Sequence, residues 1–277
     1  MVGITLFIAG FFAFPSSHIL FTFLQRYIFP GLSYVDRFSI STRFVSALQA
    51  LGASLVGLKV VFTSTDIMLH RQPILTLYAC FGLSYFYYDV VVMFIGTYLE
   101  EKQEDPQRDI YHIWTKFCKK KKLIVLHHLL LPLIGFPAVT VWRKEKGDFF
   151  VACVYLNEMS TPFLSLKAVL EKFEMRKSIL YVTNGVLLAT MFLFCRVLVY
   201  PYMYWCYAQY ANIPFLQTPL KVPLFCNSFC FLLFSVQLYW FLIIVRGVLR
   251  FFKPSPKLQQ KPVSNVNGEN GFLHKSD

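Results

Sequence analysis

The run KKKKLIVLHHLLLPLIGFPAVTVW (residues 119–142), followed by RKEKGDFFVACVYLNEMSTPFLSL (residues 143–166), decides how this chain folds. Four lysines, Lys119, Lys120, Lys121 and Lys122, head an apolar stretch of membrane-spanning length, since ~20 helical residues cross the ~30 Å hydrocarbon layer. The pair His127-His128 lies just inside it. A short charged turn ending in Gly147-Asp148-Phe149-Phe150 leads to a second apolar run that carries Asn157, Glu158, Ser160, Thr161 and Pro162. Ionisable side chains within a bilayer are costly, so each marks a functional-site candidate. Two consecutive spans that both carry them read as walls of a polar chamber inside a membrane protein.

Composition supports this reading. Of 277 residues, 56% are hydrophobic and mean hydropathy is positive, beyond what a soluble domain with half its residues exposed reaches. The 30 phenylalanines and 16 tyrosines suit lipid-facing and interfacial positions on helices. A β-barrel would alternate polar with apolar at every second residue, and no such alternation occurs. The expected fold is an all-α polytopic membrane protein. The net charge of +12 does not indicate nucleic acid, because the basic residues sit between apolar runs instead of forming one stripe, without helix-turn-helix or zinc spacing. The seven cysteines fall mostly within apolar segments and lack a Cys-x-x-Cys, so they read as small core hydrophobes; no metal site is expected. There is no Asn-x-Ser/Thr acceptor to mark one face.

Apolar segments of spanning length fall at roughly 2–25, 44–62, 73–99, 123–142, 148–170, 179–208 and 222–245, which predicts about seven transmembrane helices. The first lacks the basic start and small-residue cleavage site of a signal peptide and is expected to remain as a span or anchor. Pro162 interrupts the fifth, as proline does near a cavity where neighbours re-satisfy the freed carbonyl. Six Lys and Arg residues fall on the side of the N-terminus and 20 on the other, with Arg196 left inside the sixth span. The positive-inside rule then places the N-terminus outside or in the lumen and the C-terminus in the cytosol. The Pro- and Asn/Gly-containing segment 251–277 reads as a disordered cytosolic tail.

Depth sorts the intramembrane polar residues. His127 and His128 follow the lysine block by five and six positions, roughly 8 Å below that edge, with side chains ~100° apart around the helix. One imidazole can then face a chamber while the other braces a neighbouring helix; either can act as base, nucleophile or packing group. Glu158 and Arg196, on antiparallel neighbouring spans, sit ~15 Å deep; Glu158 can polarise a histidine or accept a substrate amine, and the alternative is a structural pair with Arg196. Asp89 lies at similar depth, with Tyr85 on its face four residues before it. Lys119 to Lys122 suit the phosphates of coenzyme A or lipid headgroups, or serve as a plain topological anchor. Tyr200, Tyr202, Tyr204, Trp205 and Tyr207 read as an interfacial aromatic belt.

From about Ser39 to Arg250 the chain resembles the TLC domain shared by translocating-chain-associated membrane proteins, ceramide synthases and the CLN8 protein. The residues that carry the resemblance are His127-His128, Gly147-Asp148-Phe149-Phe150, Glu158 with Ser160-Thr161-Pro162, Asn184-Gly185, and Cys195-Arg196-Val197-Leu198 with Tyr202-Met203-Tyr204-Trp205. They look most like the TLC domain-containing protein 3 group. The resemblance implies three parts: an N-terminal helix and first cytosolic loop at 1–38, the TLC domain at 39–250, and the tail at 251–277. It also implies a helical bundle around a lipid-accessible chamber in the endoplasmic reticulum membrane, with Golgi or plasma membrane as further addresses. His127 and His128 match the paired histidines of the ceramide synthase acyl-transfer site, and Gly147 matches a family glycine.

On an acyltransferase reading, which joins that resemblance to the intramembrane polar residues, the catalytic set is His127, His128, Glu158 and Asp89, with Arg196, Tyr85, Thr161, Asn184 and the four lysines binding substrate. The implied partners are a sphingoid base, ceramide and acyl-CoA as co-substrate, with no bound cofactor, and homo- or hetero-dimers with other TLC proteins. The ceramide synthase pattern continues to a His-Asp-x-x-Asp cluster, displaced here by about three residues; only Glu158 keeps a carboxylate, and Thr161 replaces the second acid. Three functions follow for test: a ceramide-synthase-like N-acyltransferase, a non-catalytic lipid-binding or lipid-homeostasis protein, and a cargo adaptor of the CLN8 kind.

Overall fold

The computed structural model describes residues 1–252, so the tail expected at 251–277 lies almost wholly outside the described residues. Among them there are helices and turns but no strand. In hydrocarbon each backbone N–H and C=O must be satisfied within its own segment, and the apolar runs accordingly close into helices. Seven are long and apolar enough to cross a membrane. They are α1 (Val2–Ile28), α2 (Tyr34–Thr63), α3 (Pro73–Glu104) and α4 (Ile110–Leu130), the last continued by π-helical turns to Trp142. The fifth is α5 (Asp148–Tyr155) joined to α6 (Thr161–Lys172); the sixth is α7 (Ile179–Phe192) joined to α8 (Val199–Ala211). A short α9 (Thr218–Lys221) leads to the seventh, α10 (Leu224–Phe252).

The ends follow local chemistry. Ser33, Asp109 and Ser178 each accept a hydrogen bond from a backbone N–H of the first turn of α2, α4 and α7. Pro73 opens α3, where its missing N–H costs nothing. Helices α2 and α3 overrun their hydropathy segments because polar turns continue them into the interface: α2 begins ten residues before the apolar run predicted at 44. The domain boundary expected at residue 39 consequently falls inside α2.

Without a hydrophobic drive between helices in lipid, close approach and buried hydrogen bonds hold the bundle. Helix α1 packs along α3 and α2. A Cβ at Gly10 would stand 2.5 Å from the Phe81 carbonyl oxygen, and one at Gly57 would stand 2.9 Å from the Ala152 carbonyl oxygen, so both backbones meet directly. Gln25, wholly buried, donates to Ser41 Oγ at 2.8 Å and to the Arg37 carbonyl at 3.2 Å, tying α1 to α2. His18 Nδ1 stands 2.7 Å from the Tyr88 hydroxyl, tying α1 to α3.

On the face of the N-terminus, the turn 143–147 is locked to the α2–α3 turn. Asp148 is buried, pairs with Arg143 and accepts from the Gln72 N–H at 2.5 Å, while the Gly147 N–H donates to the Met68 carbonyl at 2.8 Å. On the other face the Glu101 carboxylate pairs with Arg108 and Lys116, joining α3 to α4, and its hydrogen bond holds the Arg108 guanidinium above its ordinary pKa.

Around the bundle, α4 packs on α3, and α10 packs on α7 and the π-helical turn after it. Side chains bridge α4 and its continuation to α10 at His127–Trp240 (ring centroids 5.9 Å) and Trp142–Phe225 (5.6 Å).

Candidate functional site

The interior polar residues sit where the helices depart from α geometry. Pro162 cannot donate to the ladder, and the chain between α5 and α6 tightens into a 3-10 turn, Leu156–Ser160, which carries Asn157, Glu158 and Ser160. Opposite it, the sixth span widens into a π-helical turn, Leu193–Leu198, centred on Arg196. Such bulges re-aim side chains and are frequent at functional sites.

Two groups of side chains result. In the first, His128 is buried with its Nδ1 3.2 Å from Asp89 Oδ2, a contact close enough for charge but not aligned as a hydrogen bond. Its ring packs against Tyr85 (centroids 6.1 Å) and Phe86 (5.5 Å) on α3. His127 turns the other way, toward Trp240 of α10. The two rings thus diverge, with the α3 carboxylate meeting His128 and the α4–α10 seam meeting His127.

In the second group, Arg196 is buried. Its Nε donates to Ser160 Oγ (2.7 Å), Nη2 to Thr161 Oγ1 (2.8 Å) and Nη1 to Gln237 Oε1 (3.4 Å), and the guanidinium lies 5.1 Å from the Phe192 ring centre. The expected Glu158–Arg196 pair forms, as a long contact bridged by a hydroxyl. The two are 3.8 Å apart and Thr161 stands between them, donating to Glu158 Oε2 at 2.8 Å while accepting from Arg196. A threonine hydroxyl can do both at once, whereas a second carboxylate could only accept. Glu158 remains within electrostatic range of Asp89 and of both histidines, and Arg196 of His127.

The remaining candidates lie apart. Asn184 donates to the Phe163 carbonyl (2.9 Å) and braces α7 on α6. Lys119, Lys120 and Lys122 are exposed on α4 ahead of the histidines, and Lys121 is half-buried. Tyr200 leaves the predicted aromatic belt: it is buried and its hydroxyl accepts from Asn157 Nδ2 at 3.2 Å, because the π-helical turn rotates it inward. Sequence reasoning missed Gln237 as a partner of Arg196 and His18 as a partner of Tyr88. A lone amide or imidazole inside an apolar run was the available signal for both.

The model of the TLC domain family (TRAM, LAG1 and CLN8) matches residues 39–246, and the chain belongs to that family. The match covers every span except α1. The chain is also similar to TLC domain-containing protein 4 A of Dictyostelium discoideum, 24% identical over 146 residues, which is 50% of this chain and 54% of that protein. The chain thus spans about half the length of the curated relative it matches. No solved structure matches it.

Proposed function

We propose that the chain is an N-acyltransferase of sphingolipid metabolism in the endoplasmic reticulum membrane, moving a fatty acyl group from acyl-CoA to the amine of a sphingoid base. The observation that carries this reading is the pairing of His128 with Asp89 beside His127, on a helix that carries Lys119–Lys122 shortly before them. Asp89 holds its negative charge 3.2 Å from Nδ1, which stabilises the imidazolium that forms when Nε2 acts as the base. As the amine nitrogen attacks the thioester carbonyl, the new C–N bond forms and the C–S bond breaks with its electron pair going to sulfur. His128 takes the amine proton and returns it to the thiolate, giving amide and free coenzyme A. The lysines at 119–122 draw the coenzyme phosphates to the cytosolic face, and Arg196 with Thr161 supplies the polar pole opposite the histidines.

The second reading, a non-catalytic lipid-binding protein, is supported by Thr161 in the place of the second acid. The deciding experiment incubates the reconstituted chain with labelled acyl-CoA and sphinganine, beside His127→Ala, His128→Ala and Asp89→Asn. Turnover that falls ~10²–10⁴-fold in His128→Ala, with less effect in His127→Ala, is expected for a lost general base. Absence of turnover from folded wild-type protein at every chain length sinks the enzymatic reading and leaves the binding one.

A further inference from the structure

We propose a second lipid site, in the half of the bundle that holds the N-terminus: a groove between α8 and α10 that seats one acyl chain of a bilayer lipid. The inference stands independently of acyl transfer. The groove is open along one side and has a volume of about 620 Å³, within the ~300–1,000 Å³ of ligand sites. Its walls are apolar, with Phe215 and Leu216 at the mouth, Phe231 and Phe234 along α10, and Tyr200 at its inner end.

Position along the helices gives its depth. Asn227 lies three residues into α10 and Phe234 ten, so at 1.5 Å per residue the groove runs from near the interface to ~15 Å deep, one leaflet of the hydrocarbon layer. Two of its polar side chains are already paired: the Tyr204 hydroxyl donates to Asn227 Oδ1 at 2.6 Å, and Asn227 Nδ2 donates to the Val222 carbonyl at 3.1 Å. An apolar recess whose amide and phenol are paired offers water little and suits a hydrocarbon occupant.

The surroundings support the same occupant. Leu216, Leu220 and Leu224, 85%, 84% and 81% exposed, line the connection over the mouth and place an apolar surface at the interface. Lys221, exposed at the end of α9, stands at the level of a lipid phosphate. The inner end matters for the rest of the molecule. Tyr200 holds the Asn157 hydrogen bond, so a chain in the groove touches the turn that carries Glu158 through one residue.

The test is photolabelling in nanodiscs with phosphatidylcholine whose acyl chain ends in a diazirine, followed by mapping of adducts by mass spectrometry. Adducts concentrated on Tyr200, Phe231 and Phe234 are expected. They should be lost in Ser228→Trp, which fills the mouth from an exposed position, and in Cys230→Trp, and kept in Leu232→Trp on the outer surface of α10. Lys221→Gln should weaken competition by unlabelled phosphatidylglycerol more than by phosphatidylcholine. Adducts spread evenly over lipid-facing positions of α1 and α10, unchanged by Ser228→Trp in monodisperse protein, would mean annular lipid only and overturn the proposal. No step requires turnover, so failure of the acyl-transfer reading leaves the result interpretable.

Discussion

Arg196 offers the sharpest test of how the interior is held together. A buried guanidinium near a carboxylate invites an ion-pair account, in which Glu158 would be its main partner. The geometry instead gives Arg196 two short bonds to hydroxyls, at 2.7 and 2.8 Å, a longer one to Gln237, and a 3.8 Å separation from Glu158. Hydrogen bonds to charged groups contribute ~1.5–3 kcal/mol in water-soluble proteins, but interhelical ones in membranes average ~0.6 and reach ~1.7 kcal/mol because the unfolded chain finds partners there too. Arg196→Leu should therefore cost ~2–4 kcal/mol, two strong bonds plus a weak third. Glu158→Gln should cost under ~0.5 kcal/mol, since an amide oxygen still accepts from Thr161. Ser160→Ala should fall between, at ~1 kcal/mol.

Thermal unfolding in detergent, followed by size-exclusion chromatography, reads the order directly. For a chain of this size each kcal/mol moves the midpoint by ~2–4 °C, so Arg196→Leu shifts it by roughly 5–15 °C and Glu158→Gln by almost nothing. A Glu158→Gln loss as large as that of Arg196→Leu, with a coupling energy above ~2 kcal/mol in the double-mutant cycle, would refute the reasoning and make the ion pair the main support of Arg196.

Two further outcomes are expected. Asp148→Ala removes the buried carboxylate that pairs with half-buried Arg143 and accepts from the Gln72 N–H, while Arg143 keeps acceptors at Val139, Lys146 and Thr76, so it should cost ~1–3 kcal/mol and loosen the turn 143–147; in sealed vesicles new proteolysis of that turn should come only from the face of the N-terminus, and cleavage from the other face would contradict the orientation. Gly57→Val places side-chain atoms against the Ala152 carbonyl oxygen and should lose ~1–3 kcal/mol by overpacking, with a matching fall in detergent-stable protein; an unchanged midpoint would mean that α2 and the fifth span do not meet as closely as described.

Much of the architecture was legible beforehand because a bilayer constrains sequence heavily. Spans must be apolar over a fixed length, and each polar residue within them stands out, which is why the seven helices, the His127-His128 pair, Asp89, Glu158 and Arg196 could all be picked out. Pairings within the interior were less legible. Depth placed Glu158 and Arg196 together, but the π-helical turn at Leu193–Leu198 and the 3-10 turn at Leu156–Ser160 rotate side chains by amounts that no regular helical wheel contains. Thr161 came between them, and Tyr200 moved from a predicted surface belt to the core.

Hydropathy, turn residues and charge asymmetry by themselves determined the helical class, the number of spans and the residues worth suspecting, because these depend on local composition against a slab of fixed thickness. Tertiary structure decided which of those residues meet: His128 with Asp89, Arg196 with hydroxyls and Gln237, His18 with Tyr88, and a groove walled by α8 and α10. Helices in lipid pack by close backbone approach and by satisfying buried polar atoms, and both depend on the rotation and register of one helix against another, which a single sequence does not encode locally.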